Sequence, residues 1–269
     1  MARGTRLSGA TLLITGGGSG LGRRVALGAA GRGSRVVIWD VDAARGSGVR
    51  DEILAAGGQA EAHAVDVTDR ESVRSAAAAA GQVDILVNNA GVVSGRKLLE
   101  ATDEDIERTM KVNVMALYWV TRAFLGGMAH RRRGTVVTVA SAAGLVGVAR
   151  QTDYSASKFA AFGFNESLRA ELRTAHPGVN TLVVCPYYID TGMFHGVRTR
   201  WPLLLPILQE EQVAARILDA IETGRRKVVL PPIVNLLPVL RILPVSTFDR
   251  LMDVLGVNRT MDHFTGRPR

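Results

Sequence analysis

Thr15-Gly16-Gly17-Gly18-Ser19-Gly20-Leu21-Gly22 follows directly on the apolar run Thr11–Ile14 and opens an Ala-rich stretch, Leu21–Ala30. Strand, glycine-rich turn and helix, in that order, let a backbone wrap a pyrophosphate. Glycines at 16, 20 and 22 allow a tight turn, close approach to the phosphates and close packing of helix on strand, while the helix start supplies N–H groups and a positive dipole end. A glycine turn alone is also an ordinary flexible loop; its place between strand and helix favours the nucleotide reading. Eighteen residues beyond Gly22, a second apolar run ends at Trp39-Asp40. A carboxylate there can accept hydrogen bonds from ribose hydroxyls and would repel a 2′-phosphate, although as a bland alternative it caps the strand end. The loop therefore predicts a dinucleotide, NAD in preference to NADP, with Arg23, Arg24 and Arg45 as the residues that could still favour a phosphate.

Outward from this loop, short apolar runs alternate with longer stretches of helical spacing, the pattern of a parallel sheet covered by helices. Strands are expected at Thr11–Ile14, Arg35–Trp39, Glu61–Val65, Ile85–Val87, Thr135–Val139, Thr181–Val184 and Lys227–Leu230. Helices are expected at Leu21–Ala30, Ala43–Ala56, Ser72–Ala80, Asp103–Gly126, Tyr154–Thr174 and Glu211–Glu222. Thr102, three residues before Asp105, offers a helix N-cap. The expected fold is α/β: one Rossmann-like, doubly wound parallel sheet of about seven strands, with a single domain over residues 1–269. Residues 190–210, rich in Pro and Leu, read as a candidate substrate lid, and residues 228–269 as an apolar C-terminal extension.

The chain has 269 residues, 47% of them hydrophobic and 22% charged, with a formal charge of +8. That composition fits a packed core and excludes collagen-like, disordered and disulfide-stapled chains. One cysteine, Cys185, makes neither an internal disulfide nor a zinc cluster, so no metal is expected and a reducing compartment is. The positive charge raises the question of nucleic acid, but 29 of the 33 basic residues are arginines scattered along the chain. The short runs Arg131–Arg133, Arg225–Lys227 and 267–269 have no interleaved aromatics, so a solvated surface is the better reading. The apolar runs are too short, or too interrupted by proline, Asn235 and Arg241, to span a membrane. A cytoplasmic protein, at most peripheral to a membrane, is expected.

Three patterns fall at the ends of the later strands: Asn88-Asn89-Ala90-Gly91, then Ser141, then Tyr154-Ser155-Ala156-Ser157-Lys158. Tyr154 and Lys158, four apart, share one face of a helix, where an ammonium can stabilise a phenolate. A phenol that ordinarily titrates near pH 10 has to be shifted down to act as a base near neutrality. Ser141 can hydrogen-bond a substrate oxygen and steady a developing alkoxide. Taken singly, each residue has an ordinary structural reading; the joint placement at strand ends favours catalysis.

With the glycine turn, these motifs make residues 9–192 resemble the short-chain dehydrogenase/reductase family. The resemblance implies hydride transfer between the nicotinamide and a carbinol carbon, with Tyr154 moving the hydroxyl proton and Lys158 also holding the nicotinamide ribose. It implies that Asn113 holds a water of the proton relay. Further cofactor contacts follow from it at Gly16, Gly18, Ser19, Gly20 and Leu21, with Asp40 on the ribose and Asp66-Val67 beside the adenine. Asn88, Ala90 and Gly91 complete the middle of the site, and Pro186, Ile189 and Thr191 border the carboxamide. Ser19 stands where relatives that prefer NADP often carry a basic residue.

The family commonly has Pro-Gly after the sixth strand, whereas this chain reads Cys185-Pro186-Tyr187-Tyr188. That replacement, with the sequence following it, resembles the branch containing epidermal-type retinol dehydrogenases and hydroxysteroid dehydrogenases. The branch implies a lipophilic alcohol or carbonyl substrate and usually an N-terminal membrane anchor, which is not expected here. Met193 and Phe194 are the candidate substrate contacts; with Trp201, Leu203–Leu205, Ile207 and Leu208 they form an apolar set suited to a lid or to plain packing. Alternative readings are a 3-oxoacyl thioester reductase and a non-catalytic cofactor-binding protein. Relatives also imply a homodimer or homotetramer built on the two long helices.

Overall fold

In the computed structural model, which describes residues 4–266, seven strands form one sheet with every pairing parallel. Residues 1–3 and the basic tail at 267–269 lie outside the described residues. The strands are β1 (Thr11–Thr15), β2 (Arg35–Asp40), β3 (Gln59–Ala64), β4 (Ile85–Asn88), β5 (Gly134–Val139), β6 (Val179–Pro186) and β7 (Lys227–Leu230). Their order is β3-β2-β1-β4-β5-β6-β7. The chain thus winds one way from β1 and the other way from β4, and the reversal opens a crevice beyond the carboxyl ends of those two strands.

Helices cover both faces, so the central strands are apolar throughout. On one side α1 (Gly20–Gly31), α2 (Ala43–Ala55) and α7 (Glu210–Thr223) close over Leu12, Ile14, Val36 and Ile38, with Val25, Ile53 and Ile217 supplied by the helices. On the other side α3 (Arg70–Ala80), α5 (Ala116–Arg131) and α6 (Thr152–Ala175) pack Val73, Phe124 and Leu168 on Leu13, Val37 and Leu86. β3 lies at the sheet edge and none of its residues is fully buried. Its weak apolar signal explains why the sequence places it two residues late.

Two expectations change. The helix expected over Asp103–Gly126 is α4 (Asp103–Met110), a π turn (Lys111–Met115) and then α5. The expected cap is present: the Asp105 N–H donates to Thr102 Oγ1 at 3.2 Å, and the Thr102 N–H to Asp105 Oδ2 at 3.4 Å. The π turn buries Asn113 and Val114, a widening of the kind that recurs at functional sites. Beyond β7, where proline reads as a breaker, a 3₁₀ turn (Pro232–Leu236) leads into α8 (Leu237–Leu240) and later α9 (Val245–Val254). Pro232 and Pro238 occupy first-turn positions and Pro244 caps α9, where a missing N–H is tolerated. Residues 190–210 carry no long element before α7. They are tied in by the Ile189–Leu208 bridge.

Candidate active site

A cavity of about 830 Å³ runs along the carboxyl edge of the sheet. At one end it is lined by Gly16, Ser19, Gly20 and Leu21, with Asp40, Asp66 and Val67 farther along and Ala90 and Gly91 across from them. Gly20 has φ +52°, and a Cβ on Gly22 would stand 2.1 Å from the Gly16 carbonyl, so the turn needs glycine at both. The first turn of α1 carries no acidic side chain. Its N–H groups and dipole are therefore available to an anion.

Behind the turn, Thr15 Oγ1 accepts from the Asn89 and Ala90 N–H groups, both at 3.0 Å. The Asn89 amide donates to the Thr15 and Gly16 carbonyls at 3.0 and 3.1 Å. The carboxyl ends of β1 and β4 are thereby locked together. Asn89, which the sequence reading passed over, does this work and lines the cavity. Asn88 does not line it: its buried amide donates to Thr121 Oγ1 at 3.0 Å. The alternation of a strand sends neighbouring side chains to opposite faces.

Asp40 caps the strand end and also lines the cavity. Its two oxygens accept from the Gly18 N–H at 2.8 Å and the Asp42 N–H at 3.0 Å, while the residue lines the cavity. Each carboxylate oxygen retains further acceptor capacity. Gly18 serves the loop from behind and is not itself in the lining. Of the arginines that might favour a phosphate, Arg23 pairs with Glu52 at 2.6 Å and Arg24 with Glu210 and Glu211 at 2.6 and 2.8 Å. Arg45 borders the cavity and pairs with Asp42 at 3.0 Å.

Midway along the cavity stand Ser141, Tyr154 and Lys158. Ser141 follows β5; its Oγ accepts from the Ala143 N–H at 3.1 Å and donates to the Pro186 carbonyl at 3.4 Å. Lys158, one turn after Tyr154 on α6, donates to the Val139 carbonyl at 3.0 Å. Burial drives the Tyr154 phenol up, against a lowering by Ser141, and Tyr188 adds to the rise. That direction is opposite to the lowering expected from the sequence. Burial also pushes Lys158 down to about 8, so both groups are biased toward neutrality in the protein alone.

Asn113 lies behind the cavity wall and is not among its lining residues. Its Oδ1 accepts from the Val92 N–H at 2.9 Å, and its Nδ2 donates to the Val92 carbonyl at 2.9 Å and to Ser157 Oγ at 3.0 Å. The π turn thus pins the loop after β4 against α6. Asp153 adds a second tie, accepting from Ser94 Oγ at 3.0 Å and Thr109 Oγ1 at 2.8 Å.

Toward the far end, Pro186, Ile189, Thr191, Met193 and Phe194 line the cavity as expected. The Phe194 ring meets Tyr154 edge-on at 5.8 Å and Tyr188 at 5.0 Å. The expected apolar set divides: Leu204 and Leu205 line the cavity, whereas Trp201, Leu203 and Ile207 are exposed, and Leu208 packs against the core. The opposite wall belongs to the apolar extension expected over residues 228–269, though none of its residues was named for the site: Ile233, Val234, Leu237 and Leu240 with Leu251, Met252 and Leu255. The spacing Ile233, Leu236, Leu237, Leu240 was the available signal. A directed chain joins the walls: Gln151 Nε2 donates to the Tyr188 hydroxyl at 3.1 Å, which bonds Thr260 Oγ1 at 2.8 Å.

A family model described as short chain dehydrogenase matches residues 10–201. The chain belongs to the short-chain dehydrogenase family. Mouse epidermal retinol dehydrogenase 2 is 40% identical over 271 residues, covering 98% of this chain and 87% of that protein. Zebrafish retinol dehydrogenase 10-A is 38% identical, covering 96% of this chain and 85% of its own length. A short-chain dehydrogenase/reductase from Burkholderia phymatum in complex with NAD superposes with TM-score 0.81 at 29% identity, over 88% of this chain and 94% of that one. A metagenomic short-chain oxidoreductase in complex with NADP gives 0.69 at 30%, over 84% and 96%. As a short-chain dehydrogenase, the protein is an NAD(P)-dependent oxidoreductase of CH–OH groups, interconverting alcohol and carbonyl. The glycine cradle, the acid-free helix start and Asp40 fit such a cofactor.

Proposed function

We propose that the protein is an NAD-dependent dehydrogenase of lipophilic primary or secondary alcohols of retinoid or steroid size, with Tyr154 as the acid/base. The observation that carries this is the single cavity joining Tyr154 to an aliphatic wall, on a chain 40% identical to a retinol dehydrogenase. When bound, the cofactor supplies the hydride acceptor. Ser141 then holds the substrate oxygen, Tyr154 takes the carbinol proton, and the Lys158 ammonium stabilises the phenolate while bonding the nicotinamide ribose. Asn113 serves this centre through Val92 and Ser157.

The preference for NAD rests on Asp40 and on the pairing of Arg23 and Arg24 with carboxylates. The same residues weigh against an NADPH-linked 3-oxoacyl thioester reductase. The complete Ser141, Tyr154 and Lys158 set weighs against a protein that only binds the cofactor. Assembly through α5 and α6 into a dimer or tetramer fits the exposure of Met115, Tyr118 and Phe159. The test is NAD+ with a panel of alcohols, read at the NADH absorbance. Turnover of lipophilic members and a loss of about 10²–10⁴-fold in Tyr154→Phe are expected; activity that survives this substitution refutes the mechanism.

A further inference from the structure

Tyr187 follows β6 directly, where its backbone N–H donates to the Leu230 carbonyl of β7 at 2.7 Å. The residue is half-buried and lines the cavity. Its ring meets that of Tyr188 edge-on at 4.7 Å and packs against the apolar cluster that contains Leu205, Val234 and Met252. The hydroxyl at its tip is buried and has no hydrogen-bond partner. Among the described residues it is the only such buried side-chain atom that belongs to a residue of this cavity. Burial pushes the phenol up, so the group is a neutral O–H that can donate or accept.

The neighbouring Tyr188 shows what a satisfied phenol looks like on the same wall. Thr260 Oγ1 donates to the Val257 carbonyl at 2.8 Å, which uses its one hydroxyl hydrogen. Tyr188 therefore donates to Thr260 and accepts from Gln151 Nε2. That leaves Gln151 Oε1, on a second cavity-lining residue, as an acceptor with no donor among the described residues. Two hydrogen-bonding positions on an otherwise aliphatic wall are thus left to a ligand. The Tyr187 hydroxyl also destabilises the fold as it stands, because a buried polar group without a partner costs free energy and phenylalanine would fill the same space. Water does not reach it; a ligand wedged between Tyr187 and its aliphatic neighbours would.

We propose that Tyr187 is a specificity-determining residue whose hydroxyl pairs with a second hydroxyl group of the substrate, remote from the carbinol that Tyr154 deprotonates. The substrate is then a lipophilic diol, not an alcohol with a plain hydrocarbon tail. A plain tail against Tyr187 would keep its hydroxyl unpaired, whereas a second hydroxyl satisfies it and finds its own partner in an apolar surrounding. The inference rests on the proposed function for the reaction at the carbinol. The pairing at Tyr187 is a binding event and stands apart from turnover.

The test compares wild type with Tyr187→Phe on straight-chain secondary alkanols and on the same chains bearing a terminal hydroxyl. Dissociation constants come from titration calorimetry on the protein saturated with NADH, and kcat/KM from turnover with NAD+. Tyr187→Phe is expected to weaken the best-fitting diol about tenfold in both readouts and to leave its plain counterpart unchanged or tighter. The variant should also melt higher than wild type without ligand, and the diol should raise its melting temperature less. A hydroxyl with no ligand to read gives the first effect without the second and overturns the proposal. So does a variant that melts lower, which reveals a partner within the protein, a substitution that changes both ligands by the same factor, or a failure of both ligands to bind. Diol binding that depends on Tyr187 without any turnover refutes the proposed reaction and leaves this inference standing. Turnover of both ligands in a ratio that the substitution does not move does the reverse.

Discussion

The Lys158 ammonium nitrogen stands 5.5 Å from the centroid of the Tyr154 ring, one helical turn along α6, and both residues are buried. The pair is therefore set up for charge but sits where charge is costly. Burial lowers Lys158 from 10.5 to about 8. A group depressed on folding contributes its full stability above its unfolded value and loses it as pH falls through the folded one. At pH 7 the fold carries that cost. Lys158→Met is expected to stabilise the cofactor-free protein by roughly 1–3 kcal/mol at pH 7. The gain should shrink between about pH 8 and 10.5 while turnover is abolished. Thermal melts across pH, beside activity assays, check both halves.

Asp40 couples cofactor choice to loop stability, because its oxygens already hold the Gly18 and Asp42 N–H groups. Asp40→Ala is expected to shift the kcat/KM ratio toward NADP by an order of magnitude or more and to cost roughly 1–3 kcal/mol from the orphaned donors. Retained NAD preference in a folded variant would remove the residue from the discrimination.

Asn113→Ala leaves the Val92 N–H and carbonyl without their partner. A loss of roughly 1–3 kcal/mol is expected from two half-buried backbone groups, and kcat should fall with little change in KM for the cofactor. Urea denaturation and steady-state kinetics measure the two effects.

Gly95, at φ +68°, faces Phe264 so closely that a Cβ would lie 2.0 Å from its Cε1. Phe264 backs Phe194 at 6.5 Å, and Phe194 meets Tyr154. Gly95→Ala is thus expected to displace Phe264 and raise KM for the alcohol several-fold while leaving the dissociation constant for NAD unchanged. Isothermal titration with NAD and alcohol kinetics distinguish the two effects.

Across a series of straight-chain secondary alcohols, kcat/KM should climb with each added methylene, by up to a few-fold per group at about 0.8 kcal/mol each. A flat profile would refute a hydrophobic substrate wall.

The buried central strands were legible because Ile14, Ile38 and Val87 belong to continuous apolar runs, whereas edge strand β3 alternates alanine with polar residues and was misplaced. Ser141, Tyr154 and Lys158 were legible as a set because strand ends and a four-residue spacing bring them together. The π turn was not, since Lys111–Met115 has ordinary helical composition and the bonds of Asn113 to Val92 join residues 21 apart in the chain. The wall after β7 was hidden by prolines that occupy helix starts. The direction of the Tyr154 shift was hidden too: spacing reveals a neighbouring charge but not the depth of burial, which here is the larger effect.

The wall formed by residues 233–257 comes from one uninterrupted stretch at the end of the chain, while the glycine cradle comes from its beginning. Under the proposed function, the aliphatic part of the reactant's recognition, beyond Met193 and Phe194, is thus written in a different portion of the gene from the cradle of the redox partner. Exchange of the terminal portion is expected to retarget the enzyme to a differently shaped alcohol while leaving the glycine cradle in place.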